Sequence, residues 1–108
     1  MFIMVRPIKH RFVESKPCVI HFKPIAVPLS ELEENNLTFD ELEAFKLKFF
    51  DKLEQESAAK KMQVSRTTFW RILNSAGKKI SDALINGKAI RIEGGAYKIN
   101  GGEVANDK

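Results

Sequence analysis

Residues Gln55 to Leu73, QESAAKKMQVSRTTFWRIL, leave few folds open to this chain. Ala58 and Ala59 are small enough to let two helices approach closely, and Met62 is placed to close the core between them. Val64 then plugs a short turn, Ser65 offers a hydroxyl to cap the next helix, and Phe69, Ile72 and Leu73 return at helical intervals. Every apolar side chain in the stretch has a packing task in a helix-turn-helix covering residues 54–76. What is left on the second helix faces outward: Ser65, Arg66, Thr67, Trp70, Arg71 and Asn74. Such groups bond base edges and phosphates, so the spacing predicts a helix starting at Ser65 that reads the major groove of double-stranded DNA. The competing reading is an ordinary helical hairpin inside some other small domain.

The charge distribution agrees with the first of these. The net charge of +4 proves little by itself, but it is unevenly spread. Residues 31–57 carry nine acidic and three basic side chains, whereas Lys60 to Arg91 carries eight basic ones against Asp82 alone. The expected reading helix lies inside the basic segment, as binding to a polyanion requires. At 108 residues, with a 44% hydrophobic fraction and eight Phe, the chain is expected to form one folded domain over residues 1–100 with a polar tail at 101–108. No apolar run reaches membrane-spanning length, and the opening MFIMV is too short for a signal-peptide core. A single cysteine excludes an internal disulfide and fits a reducing cytoplasm.

The flanking elements follow from local signals. Arg11-Phe12-Val13 and Val19-Ile20-His21-Phe22, punctuated by prolines, read as two short strands or extended segments. Pro28 to Glu34 suits a short helical turn. Thr38-Phe39-Asp40-Glu41 is a capping box that opens the first helix, in which Leu42, Phe45, Phe49 and Leu53 recur at helical spacing. Helix-start chemistry accounts for Asp40, Glu41 and Glu43 more cheaply than catalysis does. From Ser65 the pattern runs through Phe69, Leu73, Ala76, Ile80 and Leu84 to Asn86, where Gly87 suits a left-handed stop. Lys88–Ile92 and Ala96–Ile99 alternate with period two around Gly94-Gly95 and predict a β-hairpin, either a wing against DNA or strands added to the N-terminal ones. The expected architecture is mainly α with minor β: a three-helix core, short N-terminal strands and a C-terminal hairpin.

The strings FKP-IAVPLSELEE, LTFDELEAFKL, QESAAKKMQVSRTTFWRIL and ALINGKAIRIEGG, in that order, resemble the prokaryotic family grouped as domain of unknown function 134. The resemblance covers roughly Arg6 to Gly95. It implies a core similar to region four of sigma factors, and binding to DNA. Three departures stand out. Gln63 occupies the turn position where relatives usually have Gly, at a cost of roughly 1 kcal/mol if the backbone there is left-handed. Glu54 replaces the usual Ser at the start of the second helix, and Trp70 stands where a small residue is common.

Two kinds of contact are expected. Arg66, Thr67, Trp70 and Arg71 lie near the start of the reading helix and are candidates for the groove; each arginine either grips guanine O6 and N7 or holds only phosphate. Ser65 caps the helix and touches phosphate, and Asn74, Lys78 and Lys79 follow the DNA backbone. His10, Cys18 and His21 include a Cys-x-x-His spacing, and relatives carry cysteines near this end. A structural zinc normally needs four ligands and no fourth is evident, so half-buried strand residues are the default and no cofactor is expected. No phosphate-cradling glycine loop or nucleophile–base pair is visible, and the chain is not expected to be an enzyme.

A transcriptional regulator binding two half-sites as a homodimer is therefore expected, with the distal third helix and the β segments as dimer surfaces. The rival is a protein-interaction module for RNA polymerase or a partner regulator, for which the acidic Glu31 to Glu56 segment would suit a basic partner.

Overall fold

A computed structural model describes residues 10–14, 20–99 and 104–106, with backbone alone for 98–99 and 104–106. The architecture is mainly α with minor β, as the sequence indicates. Strands β1 (Arg11–Val13) and β2 (His21–Phe22), a 3-10 turn (Leu29–Glu31) and strand β3 (Glu34–Leu37) precede the helices. Helix α1 (Phe39–Phe45) runs into a π turn (Lys46–Phe50), followed by α2 (Gln55–Lys61) and the long α3 (Arg66–Asn86). Strands β4 (Ala89–Ile92), β5 (Ala96–Ile99) and β6 (Val104–Asn106) close the chain.

Local chemistry sets the helix boundaries. Thr38 caps α1 through the expected capping box, its hydroxyl facing the Glu41 N–H while the Glu41 carboxylate accepts from the Thr38 N–H. Gly87 ends α3 in the left-handed conformation, φ +67°. At the far side of α1 the α periodicity breaks. The Asp51 N–H donates to Lys46 O five residues back, which widens the helix by one residue per turn. Leu47 is thereby turned fully inward, and Phe49, expected on the buried face, is swung out to solvent beside Phe50.

Two apolar clusters lie along α3. The first packs Ala44, Leu47, Ala58, Ala59 and Met62 against Phe69 and Ile72. The second packs Leu37 and Ile92 beneath Ala76, with Phe39, Leu42, Phe45, Ile80 and Ile90 around them. Leu84, expected to continue the buried stripe, is 76% exposed, and Ala83 takes the inward position. At 100° per residue the buried stripe through Phe69, Ala76 and Ile80 reaches Ala83 and leaves Leu84 about one residue off its centre.

Strands β1, β2, β4 and β5 form where expected, β3 forms where no strand was expected, and the expected hairpin between β4 and β5 does not form. The order in one sheet is β2-β4-β3 and in the other β1-β5-β6, so β4 and β5 belong to different sheets. Strand β4 has both edges taken, antiparallel to β2 and parallel to β3, and no edge remains for β5. Gly94 and Gly95, both at positive φ, steer the chain past α1 instead of reversing it. Gly94 O accepts from the Phe39 N–H, and a Cβ on Gly95 would lie 2.7 Å from Thr38 Cβ. Strand β5 then pairs parallel with β1, Arg11 opposite Tyr97. Residues 104–106, expected within a polar tail, add β6 antiparallel to β5. The Phe12 N–H donates to Met62 O, which ties β1 to the turn between α2 and α3.

Candidate nucleic-acid interface

The turn that presents the outer face of α3 is built from local bonds. Met62 and Val64 donate their N–H groups to Ala58 O and Ala59 O, and Gln63 adopts φ +59°. A non-glycine residue thus holds the left-handed position, at a cost of about 1 kcal/mol. Ser65 caps α3, its Oγ accepting from the Thr68 N–H at 3.1 Å. Glu54, at the corresponding place before α2, makes no side-chain cap bond. Phe69 and Ile72 anchor the start of α3 in the first cluster, and the opposite face of the same turns is left open.

Ser65, Arg66, Thr67, Arg71, Asn74 and Lys78 are all exposed, and Trp70 is 54% exposed. Trp70, Asn74 and Lys78 line one shallow groove together with Phe49, Leu73, Gly77 and Ser81. Seven of the eight sequence-predicted contact residues are therefore exposed, six on α3 and Ser65 at its N-cap. Lys79 is the exception. Its Nζ lies 2.8 Å from both Glu41 Oε1 and Asn36 O, on the side of α3 that packs against α1 and β3. A residue one step along a helix turns by about 100°, enough to move the side chain from the open face to the flank.

Commitment of charge separates this face from the rest of the molecule. Among the described residues, Arg66, Arg71 and Lys78 have no carboxylate within ion-pair distance and no side-chain hydrogen bond. Lys48, Lys52 and Lys60 share that freedom, and the first two flank Phe49 in the segment that borders the groove. Elsewhere the cations are engaged. Lys46 bonds Glu14 and lies 3.8 Å from Glu43, Lys61 pairs with Glu14, Lys88 with Asp82 and Glu33, and Arg91 with Glu93. Lys48, Lys52, Phe49 and Phe50 were not expected at the site. The signal was present in Lys46-Leu47-Lys48-Phe49-Phe50, since a helix face cannot bury Leu47 and two adjacent Phe together.

The acidic groups are occupied in holding the frame. Burial works to raise the Glu41 carboxyl, but Lys79, the Ser75 hydroxyl and the Thr38 N–H outweigh it and hold the group below its ordinary value. Burial does raise Glu43, against the partial opposition of Lys46. Asp82 is held far below the usual carboxylate range, first by Lys88, then by the Asn35 and Asn86 amides. Each of these carboxylates fastens a helix to a neighbouring element.

Of the candidate metal ligands, Cys18 lies outside the described residues. His21 Nε2 is 3.7 Å from Glu34, and His10 Nε2 is buried without a hydrogen-bond partner among the described residues. No three or more His, Cys, Asp or Glu side chains among the described residues are grouped to hold a metal. Nor is any described helix long and apolar enough to cross a membrane.

Comparison with known proteins agrees with the resemblance seen in the sequence motifs. The chain is 58% identical over 96 residues to a UPF0251 protein of Thermoanaerobacter pseudethanolicus, covering 89% of this chain and 81% of that one. A UPF0251 protein of Caldanaerobacter subterraneus subsp. tengcongensis is 59% identical over 98 residues, covering 91% and 83%. One from Moorella thermoacetica is 58% identical over 101 residues, covering 94% and 68%. No solved structure matches. Residues 1–100 match the family described as "Protein of unknown function DUF134", and the chain belongs to that family.

Proposed function

We propose that the protein binds double-stranded DNA sequence-specifically and acts as a transcriptional regulator in the cytoplasm, with α3 entering the major groove from Ser65. The observation that carries this reading is the set of uncommitted cations on one open helix face. Arg66, Arg71 and Lys78 stand free beside Trp70 and Asn74, while Lys79 on the flank of the helix and Lys88 just past its end are tied to carboxylates. A free guanidinium on a rigid helix keeps its donors for guanine or phosphate, and Asn74 has the amide geometry that pairs with adenine. Lys48, Lys52 and Lys60 add phosphate contacts around that helix.

A single helix of this kind spans few base pairs, so specificity calls for two copies on two half-sites. The reading is tested by fluorescence anisotropy with labelled duplex across a salt series. Log affinity should fall linearly with log salt, with a slope of about −3.6 to −5.4 for four to six neutralised phosphates. Selection from a random duplex pool then defines the half-site. The exposed Phe49 and Phe50 beside the groove favour a second reading, docking of RNA polymerase or a partner regulator on this same face. Absence of duplex binding at low salt, for random and genomic fragments alike, would overturn the first reading in favour of the second.

A further inference from the structure

Beyond the basic face, α3 ends in an apolar one. Leu84 is 76% and Ile85 80% exposed in the last two turns of a helix that is otherwise covered along its apolar side. Leu84 lines a concavity with Ala83, Phe22, Pro24 and Ile90, between the helix end and strands β2 and β4. Phe22 lies on β2, an edge strand of its sheet, and is 55% exposed. Next to Pro24, Ile25 projects into solvent at 91% exposure. The loop carrying Ile25 is closed by Lys23, whose Nζ donates to Pro24 O at 3.2 Å and Val27 O at 2.6 Å. An isoleucine held out on a stapled loop is displayed by the fold.

We propose that this surface pairs two copies of the chain about a two-fold axis near Leu84 and Ile85. The pairing itself is argued from the apolar surface, and its fit to DNA rests on the proposed function above. Phe22, Ile25, Leu84 and Ile85 leave roughly 600 Å² open per copy, so a symmetric pair covers about 1,200 Å², the lower bound of stable interfaces. The surface is also self-complementary in kind. Ile25 and Ile85 are exposed and adjoin in sequence Pro24 and Leu84, which line the concavity, so in an isologous contact each copy supplies both a protruding isoleucine and a recess. Of the two lysines at the rim, Lys88 is held by Asp82 and Glu33, and Lys23 is folded onto the Pro24 and Val27 carbonyls, so neither ammonium is aimed into the recess.

Distance favours the same occupant. From Trp70 to Ile85 is fifteen residues, or about 22 Å of helix. Across an axis at Ile85 the two reading segments are at most ~45 Å apart, and inclining the helices brings them to the ~34 Å of one DNA turn. Half-sites two turns apart, at ~68 Å, lie out of reach.

Sedimentation equilibrium of the full chain at tens of micromolar, without DNA, should give twice the 12.3 kDa chain mass. The double variant Leu84→Gln, Ile85→Gln should run as a folded monomer, with the circular dichroism spectrum of the unaltered chain and a melting midpoint that no longer depends on concentration. Phe50→Gln, which removes an equally exposed apolar side chain elsewhere, should remain dimeric. On a duplex with two half-sites the double variant should bind about a hundredfold more weakly than the unaltered chain, and on a single half-site equally well. A monomeric unaltered chain overturns the pairing and leaves the face to a different protein. A dimer that survives both glutamines overturns the assignment of the surface. A dimer broken by them that binds no duplex keeps the surface and removes the DNA reading instead.

Discussion

The two halves of α3 are one continuous helix put to opposite uses. The first half buries Phe69 and Ile72 against α2 and exposes Arg66, Trp70, Arg71 and Asn74. The second half buries Ala76 and Ala83 beside β3 and β4 and exposes Leu84 and Ile85. Their charges differ in the same way. Arg66 and Arg71 are uncommitted among the described residues, as is Lys78 just past the junction, whereas Lys79 and Asp82 beyond it are bonded to Glu41 and to Lys88 and Asn35. The difference teaches that a basic count along a helix does not measure its electrostatic reach. A cation spent on a neighbouring carboxylate holds the fold together, and one left free is available to a ligand.

Replacing Arg66 and Arg71 together by alanine tests the open half most severely. Duplex affinity should drop by about 3 kcal/mol, roughly a hundredfold, with the thermal midpoint unchanged. Equal losses on all sequences would assign both to phosphate and lower the salt slope by about 2. Unchanged affinity would remove them from the site and erase the contrast. Glu41→Gln probes the tied half. It weakens the charge-assisted bonds to Ser75 and Lys79, and unfolding free energy should fall by about 2 kcal/mol near neutral pH.

The same residue gives the comparison a pH signature. Glu41 is held below its ordinary 4.5, so the folded chain binds that proton less readily than the unfolded one. Its contribution is therefore present above about pH 4.5 and is lost as pH falls through the lower folded value. Glu43 has the opposite sign: burial raises it, and its contribution is lost as pH rises through that raised value. Chemical denaturation across pH 3–7 should show a flatter acid limb in Glu41→Gln than in the unaltered chain.

Lys79→Ala should cost about 1 kcal/mol of stability and leave duplex affinity within about twofold. A loss of affinity as large as that of Arg71→Ala would return Lys79 to the interface. The smallest effect belongs to the junction of the halves. A Cβ on Gly77 meets nothing within 4 Å, so Gly77→Ala should raise stability by about 0.5–1 kcal/mol through helix propensity alone. A lower midpoint would mean that the groove between Phe49 and α3 is closed more tightly than the spacing shows.

Signals confined to a few neighbouring residues were legible before the structure. The capping box at Thr38, the Ser65 cap and the Gly87 stop each depend on atoms within four or five residues, and all stand where the sequence puts them. The outer face of α3 followed equally well, since helical phase carries reliably across two or three turns. Phase failed over longer distances. The π turn added one residue to a turn and exchanged Phe49 for Leu47, and by the sixth turn of α3 Leu84 had drifted to the surface.

Pairings between distant segments were a different matter. Strand β4 alternates regardless of its neighbour, and nothing in Ala89 to Ile92 names β2 and β3 as partners in place of β5. Likewise Lys78 and Lys79 are identical in sequence, and only the arrival of Glu41 from 38 residues away ties one of them down. Short-range bonding and side-chain volume thus determined by themselves where the helices are, the caps at Thr38, Ser65 and Gly87, and the face bearing Arg66 and Arg71. Which strand edges were filled, which cations stayed free and which apolar side chains remained uncovered depended on segments meeting in space. A residue's own neighbours along the chain carry no record of that meeting.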